Sequence, residues 1–181
     1  MFFKRTQPLQ HYQHYAMINP AACPACLSRH GELFTDLSQA PPHHQGCRCQ
    51  YLPVVAQELK ERKEQAKRMQ AKARAELQRR EWFRQGVALL GEAPERGVEA
   101  LKAAIAIDVY IEDLEQLHRR HRQLFERDGE LRQQLYKLFT QAFYDKMDQP
   151  KYRWISQGLY AQLESQGRKR IHALFTAPFS P

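Results

Sequence analysis

The stretch VVAQELKERKEQAKRMQAKARAELQRREWFRQGVALL, residues 54–90, decides the architecture. It holds no proline and is dominated by Ala, Glu, Lys, Arg, Gln and Leu, the residues that lose least on entering a helix. It predicts one long helix. Its apolar positions Val55, Leu59, Ala66, Met69, Ala73 and Leu77 follow a loose heptad-like spacing. Arg62 falls on that seam and alanines fill much of the rest, so the coiled-coil signal is weak. The stretch carries ten basic and five acidic residues. Glu58 and Arg62, like Glu64 and Arg68, stand four apart, as a solvated helix face prefers.

C-terminal to it, Gly91-Glu92-Ala93-Pro94-Glu95-Arg96-Gly97 has turn chemistry at both ends, and Pro94 is placed to begin a new helix. Val98, Leu101, Ile105, Tyr110, Ile111, Leu114 and Leu117 form an apolar stripe that continues to Leu124 and Phe125 and stops at Asp128-Gly129. Leu131, Leu135, Leu138, Phe139, Ala142 and Phe143 repeat at helical spacing as far as Asp148-Gln149-Pro150. Trp154, Ile155, Leu159, Tyr160 and Leu163 predict a further helix. Residues 95–181 therefore read as a small antiparallel helical bundle whose Leu, Phe and Tyr stripe is core and carries no chemistry. Residues 82–86 with 99–108 resemble one tetratricopeptide unit. No second copy follows at a period of about 34 residues, and one unit alone cannot bury its faces, so this is read as an ordinary helical hairpin.

Residues 1–53 differ in kind. They hold six of the ten prolines, all four cysteines and five of the eight histidines, a composition of loops and short strands. The whole chain has 181 residues, enough for one domain or a small module joined to a helical one. Lys and Arg number 28 against 20 Asp and Glu, a formal charge of +8, which favours acidic surfaces or nucleic acid as partners. Five of those eight charges lie in residues 54–90. No apolar run approaches the roughly 18 residues a membrane helix needs, and the N-terminus leads into polar residues, so a cytoplasmic protein with no membrane partner is expected.

Cys23-Pro24-Ala25-Cys26 and Cys47-Arg48-Cys49 are two close thiol pairs. In a reducing compartment, two such pairs brought together offer the four soft ligands that tetrahedral zinc prefers. A Cys-x-x-Cys knuckle lets backbone amides point at the sulfurs, and Cys-x-Cys on an extended strand puts both side chains on one face. The competing readings are a thioredoxin-like redox pair, which wants a βαβ context absent here, and four unrelated buried thiols. Zinc explains the pattern best. His43 and His44 before Cys47, and His30 after Cys26, are placed to replace a cysteine or to hydrogen-bond a bound thiolate. No carboxylate stands nearby as a general base, so the metal is read as structural rather than catalytic. The fold class that follows is mainly α. A small zinc-stapled loop and β module occupies 1–53, a long basic helix 54–90, and a small helical bundle 95–181.

The run Cys23-Pro24-Ala25-Cys26, Gly31, Phe34, then Pro41-Pro42-His43-His44-Gln45-Gly46-Cys47-Arg48-Cys49 resembles the C-terminal zinc motif of the phage head morphogenesis family, which includes the Mu protein F-like minor head proteins. His30 stands where an acidic residue commonly precedes the glycine, and Gln45-Gly46 where Pro-Asn is usual. The resemblance covers about residues 20–53. It implies zinc ligation by Cys23, Cys26, Cys47 and Cys49, His44 as the matched histidine, and Gly31 as the turn before a strand through Phe34. It also implies a non-catalytic minor capsid role in head assembly, with head or portal proteins or another protein assembly as partners, in the cytoplasm or the virion. A second reading is a regulatory zinc protein that binds nucleic acid. Lys60, Arg62, Lys63, Lys67 and Arg68, then Arg119, Arg120 and Arg122, then Lys151, Arg153, Arg168, Lys169 and Arg170 motivate it. An enzyme is not expected, because no nucleophile, base and orienting group fall into an arrangement.

Overall fold

A strand with no clean apolar alternation, β1 (Leu9–Tyr15), organises the first part of the chain. It is the middle strand of a three-stranded antiparallel sheet, with β2 (Leu33–Phe34) on one side and β3 (Gln50–Val55) on the other. Tyr12 pairs with both Phe34 and Pro53, and His14 with Tyr51. The structure is a computed structural model and describes residues 9–40, 44, 47–149 and 157–176, with the backbone alone for residues 9, 10, 157–160 and 175. The chain divides into two units, Met1–Leu77 and Gln78–Pro181. The described residues are mainly helical, and this sheet is their only one.

In the first unit the strand's buried side chains are polar. Gln13 and His14 are both 0% exposed, and backbone carbonyls meet the Nε2 donors of Gln13 and the Nδ1 of His14. Gln13 Nε2 donates to the carbonyls of Arg62 at 3.4 Å and Gly31 at 3.5 Å, and His14 Nδ1 donates to the Arg29 carbonyl at 3.0 Å. The chain then turns through Gly31, whose φ of +85° suits a residue without a Cβ. The amide of Gly31 donates to the His14 carbonyl and the amide of His14 to the Glu32 carbonyl, each at 2.8 Å. A short helix, α1 (Pro24–Ser28), has proline in its first turn.

The long helix α2 spans Leu59–Leu89. Its expected start at residue 54 is corrected by five residues. Val54 is buried, and it and Val55 extend strand β3 as β-branched residues do; the turn Ala56–Glu58 then leads into the helix. For the same reason a module boundary after residue 53 falls inside β3, and the first unit continues along α2 to Leu77. Ala66, Met69 and Ala73 are the buried apolar residues of α2 in this unit, and Glu76 is buried beside them in sequence. The Gly31 turn approaches this helix closely, for a Cβ at Gly31 would stand 2.9 Å from Met69 Cβ and 3.0 Å from the Ala66 carbonyl oxygen.

In the second unit the end of α2 forms a hairpin with α3 (Pro94–Ile107). Glycines set its closeness: a Cβ on Gly86 would meet Leu101, and one on Gly97 would meet Leu90. The apolar stripe expected to run unbroken to Phe125 is divided into α3, α4 (Ile111–Arg120) and α5 (Arg122–Arg127). Asp108 is extended and accepts from the Val109 amide with its own side chain, which ends α3. Lys146 then holds the connection, bonding the Asp108 carboxylate at 2.7 Å and the Val109 carbonyl at 2.8 Å. Helix α6 (Gly129–Met147) is capped by Asp128, which accepts from the Leu131 amide at 2.9 Å. Helix α7 (Gln157–Thr176) packs Gly167 onto Phe143 of α6. Phe83, Leu101, Leu117, Phe125, Leu135 and Phe139 belong to one buried core.

Arg79 of α2 and Asp113 of α4 form an ion pair inside this unit, with side-chain exposures of 2% and 10%. The Tyr110 ring lies 4.5 Å from the Arg79 guanidinium and 4.5 Å from the Lys146 ammonium. Neither Trp154 nor Ile155 lies within the described residues, and of Leu159 and Tyr160 only the backbone does.

Candidate metal centre

Two segments of the first unit, from α1 and from the approach to β3, bring the cysteines together. Cys23 is the N-cap of α1, and its carbonyl accepts from the Leu27 amide at 3.0 Å. One turn of helix then carries Cys26 to the same side. Cys47 and Cys49 lie just before β3, and the Cys47 amide donates to the His44 carbonyl at 2.9 Å. All four cysteines are free thiols.

The donor atoms form two overlapping groups. Cys23, Cys26 and His44 have theirs within 4.8 Å of one another, and so do Cys26, Cys47 and Cys49. Cys26 belongs to both. Its Sγ stands 3.8 Å from Cys47 Sγ and 3.1 Å from His44 Nε2. Cys26 is also the buried member, 7% exposed, packed with Ala16, Leu27 and Ala73. A cavity of about 340 Å³ opens beside the group, walled by Ala16, Met17, Asn19 and Ala22 as well as the cysteines and His44.

Electrostatics separates the thiols. The backbone N–H of Cys26 points at Cys23 and holds that thiol below its usual range, against a smaller opposing effect of burial. Burial raises the Cys26 thiol strongly, and its Cys49 and Cys47 neighbours add to the rise. Burial likewise raises Cys49. The Cys49 amide donates to Cys47 Sγ at 3.5 Å, the amide-to-sulfur contact that bound thiolates receive. Tyr51, two residues beyond Cys49, is raised by burial and then by the nearby sulfurs of Cys49, Cys47 and Cys26.

Of the three histidines the sequence singles out, His44 joins the cysteines. His43 lies outside the described residues. His30 is turned elsewhere: its Nδ1 accepts from the Ala16 amide at 3.0 Å, and burial keeps its ring below the usual histidine range. It ties the end of β1 to the glycine turn. His14 performs a similar service through Arg29, and sequence reading missed it because a lone histidine in a polar strand carries no pattern.

The basic residues do not collect into one set. Lys60, Lys63 and Arg68 are exposed on α2, while Arg62 bonds Glu58 at 3.4 Å and Gln65 at 3.1 Å, and Lys67 bonds Glu64 at 2.8 Å. In the second unit Arg119, Arg120 and Lys169 are exposed. Arg122 pairs with Glu126 at 3.1 Å, Arg168 with Glu164, and Arg170 with Glu115 at 2.7 Å and Glu112 at 3.5 Å. Lys151 and Arg153 lie outside the described residues. Among the described residues no helix is long and apolar enough to cross a membrane.

Compared with known proteins, the chain matches no family model, no curated protein and no solved structure. The likeness to the head morphogenesis motif thus rests on its own residues, 23–49.

Proposed function

We propose that the first unit is stapled by one structural zinc ion and that the chain is a non-catalytic assembly protein of the phage head morphogenesis kind. The observation that carries the zinc reading is the convergence of Cys23, Cys26, Cys47 and Cys49 with His44, donors from two separate segments, without a disulfide. Soft thiolates with at most one imidazole are the donor set zinc takes in closed, four-coordinate structural sites. Among the described residues, the apolar cluster beneath it has Ala16, Cys26, Leu27 and Ala73 as its buried members. So small a core stabilises little alone, whereas structural zinc supplies on the order of 10 kcal/mol.

The site supports no catalysis in this reading, since a four-ligand shell leaves no position for water. What it offers is a rigid turn and sheet, held on the N-terminal half of α2. The test is metal content. Full-length protein purified in reducing buffer is expected to hold about one zinc per chain, and protein without it refutes the staple. The assembly role is checked by gene neighbourhood: portal, terminase or capsid genes beside this one support it.

The exposed face of α2 favours a second reading, contact with nucleic acid. Lys60, Lys63, Lys67 and Arg74 are all exposed and fall within one third of the helix circumference. Binding through them weakens steeply as salt rises, and a flat salt titration removes this reading.

A further inference from the structure

The zinc reading leaves five donors for four positions. We infer that His44 stays outside the metal shell and holds the Cys26 thiolate through an Nε2–H···S hydrogen bond, leaving the four cysteines as the ligands. This rests on the zinc site proposed above and assigns one residue's part in it.

Geometry separates the two roles. Two sulfurs on one tetrahedral zinc, each at about 2.3 Å, stand about 3.8 Å apart, and Cys26 and Cys47 are at 3.8 Å. A sulfur and an imidazole nitrogen on the same ion stand about 3.5 Å apart. His44 Nε2 lies at 3.1 Å from Cys26 Sγ, inside that edge and at hydrogen-bond distance. The roles are also chemically exclusive, because Nε2 carries either a proton to donate or a lone pair for the metal.

The pattern of donors around the sulfurs points the same way. Cys23 receives the backbone N–H of Cys26, and Cys47 receives that of Cys49. Cys26 is the buried one of the four cysteines, 7% exposed, and the Nε2 of His44 lies 3.1 Å from its sulfur. Four thiolates on one zinc carry a net charge of about −2, and a buried sulfur without a donor bears the largest share of the cost. His44 reaches it from an exposed position three residues before Cys47, so the hydrogen bond also ties His44 to α1.

The experiment is zinc-edge X-ray absorption on the full chain loaded with zinc, paired with chelator competition on His44→Ala and His44→Gln. Four sulfurs at about 2.3 Å with no nitrogen shell are expected. His44→Ala is expected to keep one zinc and the four-sulfur shell but to lose metal about 10- to 100-fold more readily. His44→Gln, which retains an N–H donor, is expected to recover most of that loss. A three-sulfur, one-nitrogen shell overturns the inference while leaving the zinc site intact, and so does a His44→Ala protein of unchanged affinity. A chain that takes up no zinc overturns the site and this assignment together. The wild-type spectrum decides the matter even where a variant fails to fold.

Discussion

Arg79 and Asp113, 34 positions apart in sequence, meet as a buried ion pair between α2 and α4. Neither charge has water to fall back on, so the pair stabilises the second unit only while both members are present. Removing one partner of such a pair costs about 3–5 kcal/mol, whereas replacing both with apolar groups of similar volume is often neutral or better. Asp113→Ala is therefore expected to lower the unfolding free energy extracted from a urea titration by an amount in that range. Arg79→Met combined with Asp113→Leu is expected to return most of it. A single variant as stable as the parent shows that the pair contributes nothing.

Gly31→Ala tests the turn beneath the metal centre. The new methyl group meets Met69 Cβ at 2.9 Å and the Ala66 carbonyl at 3.0 Å on a backbone with φ of +85°. Strain and overpacking together predict a loss of about 1–3 kcal/mol. Denaturant unfolding of the zinc-loaded protein, followed by Trp-independent circular dichroism, reads it directly. Gly91→Ala, where a Cβ meets nothing within 4 Å, is the matched control and is expected to change little.

Chelation is expected to act on one unit. With zinc removed, the amides of Gly31 and His14, which bond between β1 and the Gly31 turn, lose hydrogen-exchange protection. The amides of core residues such as Leu117 and Leu135 in the second unit keep theirs, since no cysteine lies in that unit. Equal loss of protection in both units contradicts the assignment of the metal to the first alone.

Acid is expected to weaken the second unit through His118. Burial, followed by the charges of Arg122 and Arg132, holds its folded pKa below the usual 6.5. The unfolded chain therefore takes up a proton that the folded one refuses. The stability this confers is complete above the unfolded pKa and declines as pH falls below about 6.5 towards the folded value. His118→Gln is expected to flatten that decline in urea midpoints measured from pH 7.5 to 5. Identical slopes for parent and variant set His118 aside.

Much of this was written locally in the sequence, and what was not shares one property. Helix α2, the start of α3 at Pro94, and the cap of α6 at Asp128 all follow from signals within a few residues. So does the cysteine cluster, whose ligand spacing is itself local. Strand β1 escaped because its inward positions are Gln13 and His14, polar groups whose partners are backbone carbonyls of Gly31, Arg62 and Arg29. The break at Asp108 escaped because Lys146, 38 positions on, stabilises it. Nothing near Arg79 or Asp113 marks them as partners 34 positions apart, and Arg170 reads as a nucleic-acid contact although it pairs with Glu115, 55 positions away. Pairings across long sequence separations leave no periodicity to find.

The ring of Tyr110, 4.5 Å from both the Arg79 guanidinium and the Lys146 ammonium, restricts what that position accepts. Its negative π face offsets two positive charges at once, a service that depends on the aromatic quadrupole and not on the volume of the side chain. Phenylalanine preserves that face and leucine abolishes it, so the alphabet allowed at residue 110 is set by electron distribution.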